Sequence, residues 1–102
     1  MVADTIRWLV VFDDTPEMLD VRRCLQDEHF AYLREHISEI PLAGGCKDEP
    51  GGDFNGGAWV LEVSSKERAI ELIENDPYFK ANARQYRLRT WGKAFADHVA
   101  RL

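Results

Sequence analysis

Apolar residues along this chain repeat first at every second position and then at every third or fourth, and the order of those switches is the strongest constraint on its fold. Ile6 to Phe12 is aromatic and β-branched and stops at Asp13-Asp14, the pattern of a strand. Thr15-Pro16 reads as an N-cap followed by proline at the first helical position, and helical spacing then runs from Met18 to Ile37. Ile40 to Ala43 reads as a short second strand and Ala58 to Val63 as a third. Between them, residues 44–57 hold the pairs Gly44-Gly45, Gly51-Gly52 and Gly56-Gly57 together with Pro50, which predicts a loop. Ser64 with Glu67 forms a capping box that starts a second helix over Ser65 to Asn75. Pro77 interrupts it, a short helical turn follows, and Tyr86 to Trp91 is the last strand. The tail from Gly92 has Ala94, Phe95, Val99 and Leu102 on one side and reads as a short helix.

Strand, helix, strand, strand, helix, strand is the order of an α+β sandwich of the ferredoxin-like βαββαβ kind, with an antiparallel sheet and two helices on one face. The 102 residues make one domain over 1–102, with 92–102 as its tail. In the first strand Ile6, Trp8, Val10 and Phe12 point one way, while Leu9 and Val11 point the other. In the third, Trp59, Leu61 and Val63 oppose Ala58 and Val60. Both sheet faces are therefore apolar, yet helices cover one. A patch of that size on an open face predicts a second copy packed sheet to sheet, a homodimer.

Composition closes off several function classes. A net charge of −5 with scattered Lys and Arg, apart from Arg84, Arg87 and Arg89, argues against a nucleic-acid partner. Cys24 and Cys46 give neither a disulfide framework nor a metal spacing, which points to a reduced, cytoplasmic setting. The apolar run Trp8 to Phe12 is too short for a membrane span or a signal core. His29 and His36 are two helical turns apart, not the spacing of a helical zinc pair, and the glycine-rich loop lacks the Gly-Lys-Ser/Thr ending of a phosphate cradle. No metal and no organic cofactor is expected.

Two polar residues sit where the helices should present apolar side chains. His29 opens the stripe His29, Leu33, Ile37, and Asp76 closes the stripe Ala69, Leu72, Ile73, Asp76. A buried carboxylate is costly unless paired, and an imidazole is a natural partner for it. A His29–Asp76 pair held between two helices is the site hypothesis. Two plainer roles stand beside it: Asp76 before Pro77 is a good N-cap, and a lone histidine on an apolar stripe is often a core residue. His36 falls near the helix end, where a cation suits the dipole, and reads as structural. His98 lies in the tail with no partner in view. Tyr32, Tyr78 and Trp91 are core aromatics that also suit the wall of a pocket for a planar ligand.

The stretch Val21 to Trp91 resembles the YciI-like (YCII-related) family. The resemblance lies in His29-Phe30-Ala31-Tyr32-Leu33, Ala43-Gly44-Gly45, Gly56-Gly57-Ala58-Trp59-Val60-Leu61-Glu62-Val63, Ser65 to Ala69, Asn75-Asp76-Pro77-Tyr78-Phe79-Lys80-Ala81 and Arg89-Thr90-Trp91. It implies a dimeric α/β-barrel assembly and a His–Asp active site, carried here by His29 and Asp76. It also brings in a chlorinated-aromatic dehydrochlorinase and, more distantly, muconolactone isomerase. The chain departs from the family at Gln26-Asp27, where members often carry Arg-Pro, and its loop 46–55 is acidic through Asp48, Glu49 and Asp53. The function expected is cofactor-independent proton transfer, an elimination, dehydrochlorination or isomerisation, on a small aromatic or lactone substrate. In that scheme Asp76 orients the imidazole, the other ring nitrogen is the base, and backbone N–H groups near Gly44 and Gly45 stabilise an oxyanion. The rival expectation is a non-catalytic ligand-binding or assembly domain with the pair as a structural clamp. A third is a protein-interaction module using the acidic loop.

Overall fold

The computed structural model describes residues 4–101. Strand β1 spans Ile6–Asp14, helix α1 Met18–Glu35, β2 Leu42–Cys46, β3 Gly56–Val63, α2 Lys66–Glu74, the single-turn α3 Pro77–Lys80 and β4 Arg84–Thr90. The strands form one antiparallel sheet in the order β2-β3-β1-β4. This is an α+β ferredoxin-like fold.

Strand parity decides what faces the helices. Val10 pairs with Trp59 on one side and Leu88 on the other, and Phe12 pairs with Gly57 and Tyr86. These even positions of β1 bring Val10, Phe12, Trp59, Leu61 and Val63 into one buried cluster with Ala69, Leu72 and Ile73 of α2. At about 25 cal/mol per Å² of apolar surface removed from water, this layer is the main source of stability. Gly56 starts β3 because β1 runs too close for a side chain: a Cβ there would lie 2.5 Å from the Phe12 carbonyl oxygen.

Several boundaries differ from those read in the sequence, each for a local reason. The cap of α2 is Ser65, not Ser64: Ser65 is extended at φ −154° and its side chain accepts from the Arg68 N–H at 3.0 Å. Thr15 does not cap α1; its N–H and hydroxyl both donate to the Ala83 carbonyl, at 2.9 and 3.2 Å, tying the end of β1 to the start of β4. Strand β2 begins at Leu42, because Ile40 still closes a turn by donating to the His36 carbonyl at 2.8 Å. Its Gly44-Gly45 pair is strand because pairing with β3 overrides a weak local preference. The tail over 92–101 is irregular, not helical. It runs beside the sheet face opposite the helices, where Leu42, Val60, Trp91, Phe95 and Val99 border a cavity of about 640 Å³. Leu102 lies outside the described residues.

Glu39 in the α1–β2 turn grips Arg68 of α2 with two hydrogen bonds, at 2.9 and 2.7 Å. That grip holds the Glu39 carboxyl below the usual glutamate range, chiefly through the Arg68 hydrogen bonds. A carboxyl with a depressed folded pKa stabilises above its unfolded pKa, and the contribution disappears as pH falls through the folded value. Glu39→Gln should therefore lower stability at neutral pH by about 0.2–1 kcal/mol, and the difference from the parent should vanish in acid. Urea denaturation at a series of pH values checks this.

Candidate active site

Arg22, Gln26 and His29 follow one another about one turn apart along one side of α1, running from exposed Gln26 to buried His29. Opposite them lies the α2–α3 junction. Asp76 precedes Pro77 in extended conformation, φ −67° and ψ 132°, which ends α2 and lets proline open α3. Its carbonyl accepts from the Lys80 N–H at 3.0 Å, but its carboxylate makes no cap hydrogen bond. The side chain turns inward instead. His29 Nδ1 and Asp76 Oδ1 are 2.6 Å apart, with the aspartate wholly buried and the imidazole nearly so.

That geometry constrains the tautomer of a neutral ring. Asp76 Oδ2 is buried with no hydrogen-bond partner, so the imidazole is the carboxylate's one side-chain donor among the described residues. With the carboxylate ionised and the ring neutral, Nδ1 carries the proton and Nε2 keeps its lone pair, because an ionised carboxylate accepts only. No protein group bonds Nε2 among the described residues. The ring cannot swing freely, since it stacks on Tyr78 with centroids 3.7 Å apart and an interplanar angle of 8°. Burial pushes the Tyr78 phenol up, against the opposing pull of Arg22 and Arg84, so it stays protonated near neutrality.

Beyond Tyr78 lies a second ionic group. Asp14, at the end of β1, is paired by sheet register with Arg84 of β4. Arg84 Nε donates to Asp14 Oδ1 at 2.8 Å and Nη2 to Oδ2 at 3.1 Å. Arg22 Nη2 reaches Asp14 Oδ2 at 2.9 Å from the helix side and also donates to the Gly56 carbonyl at 2.9 Å. Asp14 and Arg84 are almost fully buried, and Arg22 keeps 16% of its side chain exposed. Aromatic faces hold the guanidiniums: Arg84 lies 4.5 Å from the Phe12 centroid, Arg22 4.6 Å from that of Phe54, and each is 5.5 Å from that of Tyr78.

His29, Tyr78, Arg22, Arg84, Gly45 and Phe54 share one cavity of about 330 Å³. That is at the small end of ligand pockets, room for one substituted ring. Phe54 forms its outer wall by lying against β2, which requires glycine at 45: a Cβ there would meet the Phe54 ring at 2.6 Å. Among the described residues no three His, Cys, Asp or Glu side chains converge as a metal site, and no helix is long and apolar enough to cross a membrane.

Of the residues singled out in the sequence, His29, Asp76, Tyr78, Gly44 and Gly45 come together at or beside this cavity. Tyr32 and Trp91 do not. Tyr32 points at α2, donating to the Leu72 carbonyl at 2.7 Å, and burial together with the Asp76 charge pushes its phenol up to about 12. Trp91 has the parity of Arg87 and Arg89, so it stands on the face away from the helices. Sequence reasoning missed Asp14, Arg84, Phe54 and Trp59 as parts of the pocket and its support. Arg22 carried a readable signal, since Arg22, Gln26 and His29 are spaced four and three apart.

A YCII-related domain model matches residues 6–92. The chain belongs to the YCII-related family. Among solved structures, 5-chloro-2-hydroxyhydroquinone dehydrochlorinase (TftG) from Burkholderia phenoliruptrix AC1100, in complex with 2,5-dihydroxybenzoquinone, is 26% identical with a TM-score of 0.77. The match covers 85% of this chain and 94% of that one. A dimeric ferredoxin-like protein from an uncultured marine organism, 10% identical with a TM-score of 0.53, matches over 90% of this chain and 98% of its own, a likeness of fold alone. No curated protein matches the sequence. The tail beyond residue 92 lies outside the family match.

Removing the carboxylate between the two arginines tests the ionic group. Asp14→Ala leaves the Arg84 guanidinium buried without a counter-charge, and should cost about 3–5 kcal/mol in denaturant unfolding.

Proposed function

We propose that this YCII-related protein is a cofactor-independent proton-transfer enzyme acting on a small planar substrate, with His29 as general base and Asp76 as its orienting partner. The observation that carries this reading is an imidazole in the wall of a cavity whose Nδ1 lies 2.6 Å from a buried carboxylate while Nε2 makes no hydrogen bond among the described residues. The likeness to a dehydrochlorinase supports elimination of HCl as the reaction type. In the keto tautomer of a chlorinated hydroquinone, where the carbon bearing chlorine is sp3 and also carries a hydrogen, Nε2 takes the proton of the hydroxyl para to the ring carbonyl. The O–H electron pair becomes the second carbonyl, the adjacent C=C pair shifts onto the carbon bearing chlorine to form the new C=C bond, and chloride leaves with the C–Cl pair, giving the quinone. Asp76 stabilises the imidazolium that results, and no oxidant or reductant is needed. Isomerisation of an enolisable ring uses the same first step, with the proton returned to another atom.

The reading is tested with 5-chloro-2-hydroxyhydroquinone and related chlorinated hydroquinones, following chloride release. The parent protein should turn over at least one of them. His29→Ala should lower kcat by about a hundred-fold or more while the far-ultraviolet circular dichroism stays that of the parent. Asp76→Asn can present an amide donor to Nδ1, which moves the ring proton to Nε2 and removes the base. It should lose activity at similar substrate affinity. A structural clamp predicts a different pattern: a stability loss of about 1–3 kcal/mol in both variants and turnover of none of these substrates by the parent.

The open face of the sheet supports an assembly as well. Leu9, Val11, Ala58 and Val60 lie on the face opposite the helices, and the tail leaves Phe95 and Val99 mostly exposed beside it. A second copy packed on this face gives a homodimer of the α/β-barrel kind. Sedimentation equilibrium at micromolar concentration should return twice the chain mass; a stable monomer would rule it out.

A further inference from the structure

We infer that Arg22, Arg84 and Asp14 form an anion seat across Tyr78 from the His29–Asp76 pair, and that the protein's ligands are planar enols or phenols bound with their oxyanion on this seat. The inference rests on the proton-transfer reading of His29 and adds where the negative charge goes. Two guanidiniums share one carboxylate, so the triad holds one positive charge with no protein counter-ion. Arg22 is also short of acceptors. Its Nε is buried without a partner, and its Nη1 donates to nothing among the described residues. Nη1 is the donor left open, on a side chain that is 16% exposed and lines the cavity, and a cationic donor so placed favours an anionic oxygen over a neutral one.

The two ionic groups divide the pocket by sign. The dyad carries an excess negative charge while the imidazole is neutral, and the triad carries an excess positive one. Removal of a substrate proton by His29 creates an imidazolium beside Asp76 and an oxyanion, and each new charge then meets its opposite. Donors fixed in a dry site before the reaction, with their dipoles already aimed, stabilise such a state without reorganising. Room for a single ring sets the ligand's size, and Phe30, Leu33 and Trp59 give the cavity an apolar side against which a ring can lie. The acidic residues Asp48, Glu49 and Asp53 stand in the hairpin loop and are solvated, so they act on the anion far less than the buried arginines do.

The test uses 4-nitrophenol, whose phenolate is read by its visible absorbance, and 4-nitroanisole, the same ring without an ionisable oxygen. The parent protein should bind the phenolate on the order of tenfold or more tighter than 4-nitroanisole, and the bound phenol should ionise at lower pH than the free one. Arg22→Gln should lose most of that preference, Arg22→Lys should keep part of it, and Glu39→Gln, away from the cavity, should retain it. Equal affinity for the two ligands overturns the inference, and needs no variant to fold. So does an unchanged preference in a folded Arg22→Gln protein. Phenolate binding that depends on Arg22, in a protein that releases no chloride, supports the seat and counts against the base. Turnover that depends on His29, with no phenolate preference, does the reverse.

Discussion

Asp14 is the group on which the helix-side architecture turns. It sits at the end of β1 and accepts hydrogen bonds from Arg84 on the neighbouring strand and from Arg22 on α1. Two cations are thereby drawn out of water onto the end of the sheet. Burying ions is costly, and the pairing roughly offsets that cost without making the group a net source of stability. Its effect is positional: α1 is fixed against β1 and β4 by directional, charge-assisted bonds. Seven residues further along the same helix, His29 inherits that placement.

The second anchor works from the other side. Asp76 stands in the turn between α2 and α3, where Pro77 permits an extended residue and a sharp change of chain direction. Tyr78, on the first turn after it, stacks on the imidazole that Asp76 holds. A hydrogen bond in the plane of the ring and a stack across its face leave the imidazole little freedom. A side chain held this way has little entropy left to lose when a molecule binds against it.

Much of this was legible in the chain itself, and the division is physical. The βαββαβ order is written in local periodicity, and so are the inward faces of His29 and Asp76, because stripes three and four residues apart are properties of single helices. Arg84 was not readable as a site residue. It joins Asp14 only through a strand pairing between positions seventy residues apart, and its identity suggested just another exposed arginine. Tyr32 misled because it shares a helix with His29 at a spacing of three; the small angular offset was enough to turn it toward α2. Trp91 misled for the opposite reason, since its parity relative to Tyr86 and Leu88 already assigned it to the far face. Cap and strand boundaries moved by a residue or two where tertiary bonds, such as Thr15 to Ala83, outweighed local preference.

The outer wall of the pocket is one side chain, Phe54, at the end of a hairpin loop. It rests on a strand whose only concession is the missing Cβ of Gly45. Its ring also carries the Arg22 guanidinium, 4.6 Å from the centroid, so position 54 bears on that arginine as well as on the cavity. A change of residue at position 54 therefore reshapes the mouth of the cavity and the setting of Arg22, while the His29–Asp76 contact and the core formed by β1, β3 and α2 stay in place.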